Sequence, residues 1–137
     1  MQPVPYLFFK DRCEEALRAY ADIFGSPDPE LFRVRDSPMA GDMPDKGQLV
    51  MHGSLKLGDG LLYASDDVMG GTPDMAGAAI MVGFPGADAA RHVFDALAQG
   101  GSVQMEFQPT FWSDGFGTLT DRYGIKWMVG ADPAATS

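Results

Sequence analysis

The feature that most constrains this chain is a repeated order of elements: strand, helix and three strands can be read twice, on either side of a stretch at residues 67–77 carrying Gly, Pro and Asp but no periodicity. The halves so defined are 1–66 and 78–131, with 67–77 as linker, and what repeats is the pattern rather than the residues. In each half the helix has one apolar stripe and the strands alternate, so helix and sheet must bury those surfaces on each other.

In the first half, PVPYLFF at residues 3–9 has strand composition, with prolines suited to an edge or to the chain leading into a sheet. Asp11 is positioned as an N-cap with Glu14 three residues on, and Cys13, Ala16, Leu17, Tyr20, Ile23 and Phe24 recur at helical spacing up to Gly25. Residues 31–34 read as a short strand and 36–47 as a mobile loop. Asp59-Gly60 then predicts a type I′ hairpin between QLVMHGSLKLG and LLYASD. Alternation puts Leu55, Leu57, Leu62 and Ala64 on an apolar face, and His52, Ser54, Lys56, Tyr63 and Ser65 on a mixed one. The second half offers a strand at 78–84, a helix capped by Asp88 with Ala90, Val93, Phe94 and Leu97 on one face, a strand at 103–107, and strands FGTLTD and IKWMVG around RYG. Residues 131–137 read as a frayed tail.

Composition narrows the function. A formal net charge of −9 opposes phosphate backbones and anionic lipid, so neither nucleic acid nor a membrane surface is an expected partner. No apolar run is long enough to span a bilayer, and MQPVPYLFF lacks the basic start and cleavage site of a signal peptide, which makes the cytoplasm the expected location. The single cysteine, Cys13, falls on the apolar helical stripe and reads as core. No phosphate loop, nucleophile elbow or Cys-His pair is present.

The segments FWSDGFGTLTDRYGIKWMVG, MHGSLKLGDGLLYASD and PYLFFKDRCEEALRAYADIFG resemble the PhnB-like branch of the vicinal oxygen chelate superfamily, the glyoxalase, bleomycin-resistance and dioxygenase group, over almost the whole chain. Most specific is Asp121-Arg122-Tyr123-Gly124 followed by Ile125-Lys126-Trp127, which is similar to the closing DP-x-G-x-x-W hairpin of that branch, with Arg122 in place of its proline. The resemblance implies an α+β fold of two tandem βαβββ modules forming curved, barrel-like mixed sheets with the helices outside. It also implies one such domain spanning 1–137, and a homodimer with a small-molecule pocket in each barrel.

Metal-dependent enzymes of the superfamily hold a divalent ion with His and Glu from four strand positions. Mapped onto this chain, those slots fall at Pro5, Tyr63, Ala79 and Met128, none of which supplies imidazole or carboxylate. A shift of one residue offers Tyr6, Leu62 or Ala64, Ala78 or Ile80, and Trp127 or Val129, which are no better. No metal or other cofactor is therefore expected. His92 falls on the outer side of the second helix and reads as surface.

The mixed hairpin face is the expected cavity wall, presenting His52, Ser54, Tyr63 and Ser65, with Leu7, Met81 and Met128 added by alternation. Phe111 and Trp112, in the loop before the closing hairpin, are expected at a cavity mouth or a dimer interface, and Trp127 in the core. His52 is open to three readings: a hydrogen-bonded interior or interface histidine, a ligand contact, or an acid-base group without an assignable carboxylate partner. Met39, Met43, Met69 and Met75 fall in loops that can cover a pocket. Asp121 and Gly124 read as turn residues, through backbone bonding and positive φ respectively.

The expected function is binding of a small, largely apolar or aromatic molecule. The alternative is a lyase- or isomerase-type enzyme with a metal-free or atypical site using His52. Methyl transfer, a label attached to some sequences of this kind, is disfavoured because the chain lacks the Gly-rich strand-to-helix turn of a doubly wound parallel sheet that would hold S-adenosylmethionine.

Overall fold

The computed structural model describes residues 1–132, in two compact units that divide at Pro73 and Asp74. The first unit runs β1 (Tyr6–Phe9), α1 (Cys13–Phe24), β2 (Glu30–Arg33), β3 (Val50–Leu57) and β4 (Gly60–Asp66). The second runs β5 (Ile80–Phe84), α2 (Ala87–Ala98), β6 (Ser102–Gln108), β7 (Gly115–Thr120) and β8 (Lys126–Ala131). Each unit has one four-stranded mixed sheet, ordered β1-β4-β3-β2 and β5-β8-β7-β6, and neither sheet closes on itself. In both, the first strand runs parallel to the last and the other neighbours are antiparallel. Phe9 accepts from the Asp67 amide and Phe84 from the Asp132 amide, which sets the corresponding positions of the two halves. Of the tail expected at 131–137, Ala131 is instead the last residue of β8; residues 133–137 lie outside the described residues.

One face of the first sheet is covered by α1, whose Cys13, Ala16, Leu17, Tyr20 and Ala21 are buried. Gly53 leaves room for the helix there, since a Cβ on it would lie 2.7 Å from Leu17 Cδ1 and 3.3 Å from Leu31 Cδ2. In the second sheet Gly117 fills the same need beneath Phe94 of α2, and Trp127, Val129 and Leu119 complete that core.

Several local expectations change. The first helix is not capped by Asp11, which sits at φ +65° outside it; Cys13 N–H donates instead to Asp66 Oδ1 at 2.9 Å, and Val50 N–H to Oδ2 at 2.8 Å. A carboxylate at the end of β4 thus ties helix and sheet together. The second helix begins at Ala87, after Gly86 rather than Asp88, which lies in its first turn. The hairpin turns at Gly58-Asp59, one residue early, with Leu57 opposite Gly60. Only Gly58 of the pair has positive φ, as in a type II′ turn with Gly first. That shift moves each pairing by two positions, so side-chain parity, and with it both faces of the hairpin, stays as expected. The loop at 36–47 holds a short 3-10 turn at Pro44–Lys46 and is tied back by Val34 N–H to Leu49 O and Arg35 N–H to Gly47 O.

Candidate functional site

Among the described residues of the first unit no α-helix other than α1 is present, and the side chains on the sheet face opposite α1 follow from register. Glu30, Ser54, Tyr63 and Tyr6 are successive Cα partners across β2, β3, β4 and β1, and so share one row. Phe32 partners His52 and Phe8 partners Ser65 in the row beside it. Tyr6 and Tyr63 rings lie 6.4 Å apart between centroids, His52 and Tyr63 5.0 Å, and Tyr6 and His52 5.7 Å. The Tyr6 hydroxyl is 3.3 Å from His52 Nδ1, a contact whose donor depends on the imidazole tautomer. Next to this cluster is a pocket of about 390 Å³ lined by Glu30, Leu31, Phe32, His52, Ser54 and Tyr63. The Glu30 carboxylate has no hydrogen bond or ion pair among the described residues.

Four expected site residues of the first half, His52, Ser54, Tyr63 and Ser65, therefore share this face, Ser65 being buried. Leu7 does not. It partners Ala64 in the row of Gly53, faces α1 and is buried in the core, because β1 alternates Tyr6 and Phe8 out with Leu7 and Phe9 in. Sequence reasoning missed Glu30, Phe32 and Phe8, and met Tyr6 only as an alternative slot. Alternation within YLFF and ELFR separates these residues from their neighbours, but which face each set takes depends on pairing across a helix and a long loop.

In the second unit Met81, Met128, Thr118 and Met105 form the corresponding row across β5, β8, β7 and β6. Trp112 meets Phe116 edge-on at 5.6 Å and Phe111 at 4.6 Å, and Phe116 shares the face of Thr118 by alternation. Phe111 itself is 96% exposed. Trp127 is fully buried, with Nε1 donating to Asp121 Oδ2 at 2.9 Å, while Asp121 Oδ1 accepts from the amides of Tyr123 and Ile125 and Gly124 sits at φ +86°. These are the structural roles expected of Trp127, Asp121 and Gly124. Met75 is drawn to β8, its sulfur accepting from Lys126 N–H at 3.3 Å.

The superfamily's metal can be tested against this donor set. Tyr63 partners Tyr6 rather than Pro5, and Met128 partners Met81 rather than Ala79; Pro5 and Ala79 precede their strands. The phenol of Tyr63 and the thioether of Met128 at these slots do not match the imidazole and carboxylate donors of the superfamily's ion. Among the described residues no group of three or more His, Cys, Asp or Glu stands close enough to hold an ion. Cys13 is also no candidate ligand: burial, then the Asp66 and Glu14 carboxylates, push its thiol far above the ordinary range and keep it protonated.

Two helix-backed mixed sheets in tandem, each with an open face, define a glyoxalase/bleomycin-resistance fold. Residues 2–130 match the family described as 3-demethylubiquinone-9 3-methyltransferase, and the chain belongs to that family, the PhnB-like branch of the superfamily. It is similar to protein PA1353 from Pseudomonas aeruginosa, at 38% identity and a TM-score of 0.88 over 96% of this chain and 98% of that one. It is also similar to a putative 3-demethylubiquinone-9 3-methyltransferase, PhnB protein, from Bacillus cereus, at 22% identity and a TM-score of 0.80 over 96% and 99% of the two chains. The same fold, at 16% identity and a TM-score of 0.65 over 96% and 97%, occurs in a glyoxylase/bleomycin resistance protein/dioxygenase domain from Frankia. No helix among the described residues is long and apolar enough to cross a membrane.

Proposed function

We propose that this chain is a small-molecule-binding protein whose ligand site needs no metal or other cofactor, working as a cytoplasmic homodimer on a largely apolar or aromatic ligand. The observation that carries this reading is the pocket on the open face of the first sheet, where aromatic rings stand beside polar groups left without partners. Trp112, Phe111, Met81 and Met128 give the second sheet an apolar open face that suits further ligand contact or a second copy of the chain. Methyl transfer, which the family description names, finds no support in the strand-to-helix turns. These are Lys10-Asp11-Arg12 and Pro85-Gly86, not the Gly-rich turn of a doubly wound parallel sheet.

Native mass spectrometry of the purified protein incubated with a small-molecule extract tests the binding reading. A bound species should survive treatment of the protein with chelator and be released on denaturation with its mass unchanged. Loss of binding on chelation, or release of a converted product, overturns it. One observation favours a second reading, an enzyme of lyase or isomerase type: His52 contacts the Tyr6 hydroxyl and lines the same pocket as the Glu30 carboxylate, without touching it. In that case His52→Ala abolishes turnover in a folded protein, and unaltered turnover removes His52 from the chemistry.

A further inference from the structure

The first-sheet pocket carries information about the charge of its ligand. Its one acidic side chain is Glu30, and no Lys or Arg lines it. Lys56, which shares the face by alternation, makes no ion pair with Glu30, and Arg33, the basic residue nearest in β2, is committed to Glu14 at 2.7 Å on the helix side. The other walls are Leu31, Ser54 and the rings of Phe32, His52 and Tyr63, with the Tyr6 ring against His52 and Tyr63. Aromatic faces carry partial negative charge and attract a cation within about 6 Å of the ring centroid. A free carboxylate at the rim adds a charge-assisted acceptor, and the acidic chain as a whole raises the local concentration of cations. The Tyr63 and Ser54 hydroxyls, which have no side-chain hydrogen bonds among the described residues, supply further acceptors.

Resting on the binding reading above, we infer that the pocket of Glu30, Phe32, His52, Ser54 and Tyr63 selects an organic cation, a protonated amine carried on an apolar or aromatic body. The amine is held between the Glu30 carboxylate and the rings, and the apolar body lies along Phe32 and the Tyr6–Tyr63 edge. An anionic ligand is repelled by the same carboxylate, and a neutral one gains only from the rings.

Three probes with one body and different head groups separate these contributions: 4-phenylbutylamine, 4-phenylbutanol and 4-phenylbutyrate. Each is titrated into the full chain by NMR at pH 8, where the amine is protonated and the acid ionised. The amine should bind about tenfold more tightly than the alcohol, with the butyrate weaker than both, and shift changes should centre on His52 and Tyr63. In Glu30→Gln the amine should fall to within about twofold of the alcohol while the alcohol is unchanged. Glu30 is exposed on an edge strand, so the fold tolerates that change. Equal binding of all three probes, or an amine preference that survives Glu30→Gln, overturns charge selection and leaves the binding reading standing. Failure of all three to perturb the pocket overturns both.

Discussion

Asp66 is the residue whose loss should be felt most sharply for its size. Its carboxylate accepts from Cys13 N–H at the start of α1 and from Val50 N–H at the start of β3, and it is 5% exposed, with Cys13 at 0% and Val50 at 1%. Asp66→Ala leaves two buried amides without partners in places water reaches poorly, each costing about 1–3 kcal/mol. Removing a buried carboxylate returns part of that through relieved desolvation. The net loss should be about 3 kcal/mol, or roughly 10 °C in Tm. Asp66→Asn should lie between, since its one carbonyl serves one amide while its NH₂ meets the other donor to donor. Asp11→Gly should be neutral or mildly stabilising, because Asp11 holds φ +65° and caps nothing. Urea unfolding by circular dichroism measures the stabilities, and amide exchange at Cys13 and Val50 locates the damage. If Asp66→Ala costs under about 0.5 kcal/mol and both amides keep their protection, the carboxylate is not the cap.

Two further perturbations probe packing and pH. A Cβ at Gly101 would stand 2.2 Å from the Thr120 carbonyl oxygen and 2.9 Å from Asp121 Cα, so Gly101→Ala must part backbone and should cost about 3 kcal/mol. Gly25→Ala, strained only by φ +65° with open space around it, should cost about 1 kcal/mol; equal urea midpoints for the two refute the clash. Glu14 is held below the usual carboxylate range first by its hydrogen bond from Arg33 and then by that from Arg18. Its contribution is therefore present above the unfolded-state value and lost as pH falls through the lower folded one. Because the pair is partly exposed, Glu14→Gln should cost at most about 1 kcal/mol at pH 7, and the difference from the native protein should vanish near pH 2. A gap that persists or widens in acid contradicts the assignment.

The fold was legible because its signals are local and recur. Periodicity gave both helices, and alternation gave the strands. Parity gave both faces of the hairpin even though the turn fell at Gly58-Asp59 rather than Asp59-Gly60. The N-terminal caps were not legible, since α1 is capped from the far end of β4, fifty-three residues away, which no local motif encodes, whereas Gly25 closes α1 as its sequence suggests. Leu7 was misplaced for a related reason. Its strand is short and apolar on both sides, and only its parallel pairing to β4 shows that Tyr6 and Phe8 take the open face.

The candidate face was legible on the β3–β4 hairpin of the first half and less so on β1 and β2, and the two sheets differ in what the same positions carry. Glu30, Ser54, Tyr63 and Tyr6 occupy the row that Met105, Thr118, Met128 and Met81 occupy in the second sheet, position for position. Asp66, which ties the first helix to its sheet, corresponds to Ala131, whose carbonyl instead accepts from the Ser113 hydroxyl. Ionisable and phenolic groups thus lie on one row and thioethers on the other. A sheet row that keeps its hydroxyl position, Ser54 or Thr118, while its neighbours change from Glu and Tyr to Met has kept its geometry and changed its chemistry. That asymmetry is why pattern alone recovered the architecture, and why the choice of ligand rests on the first sheet's Glu30 and its rings.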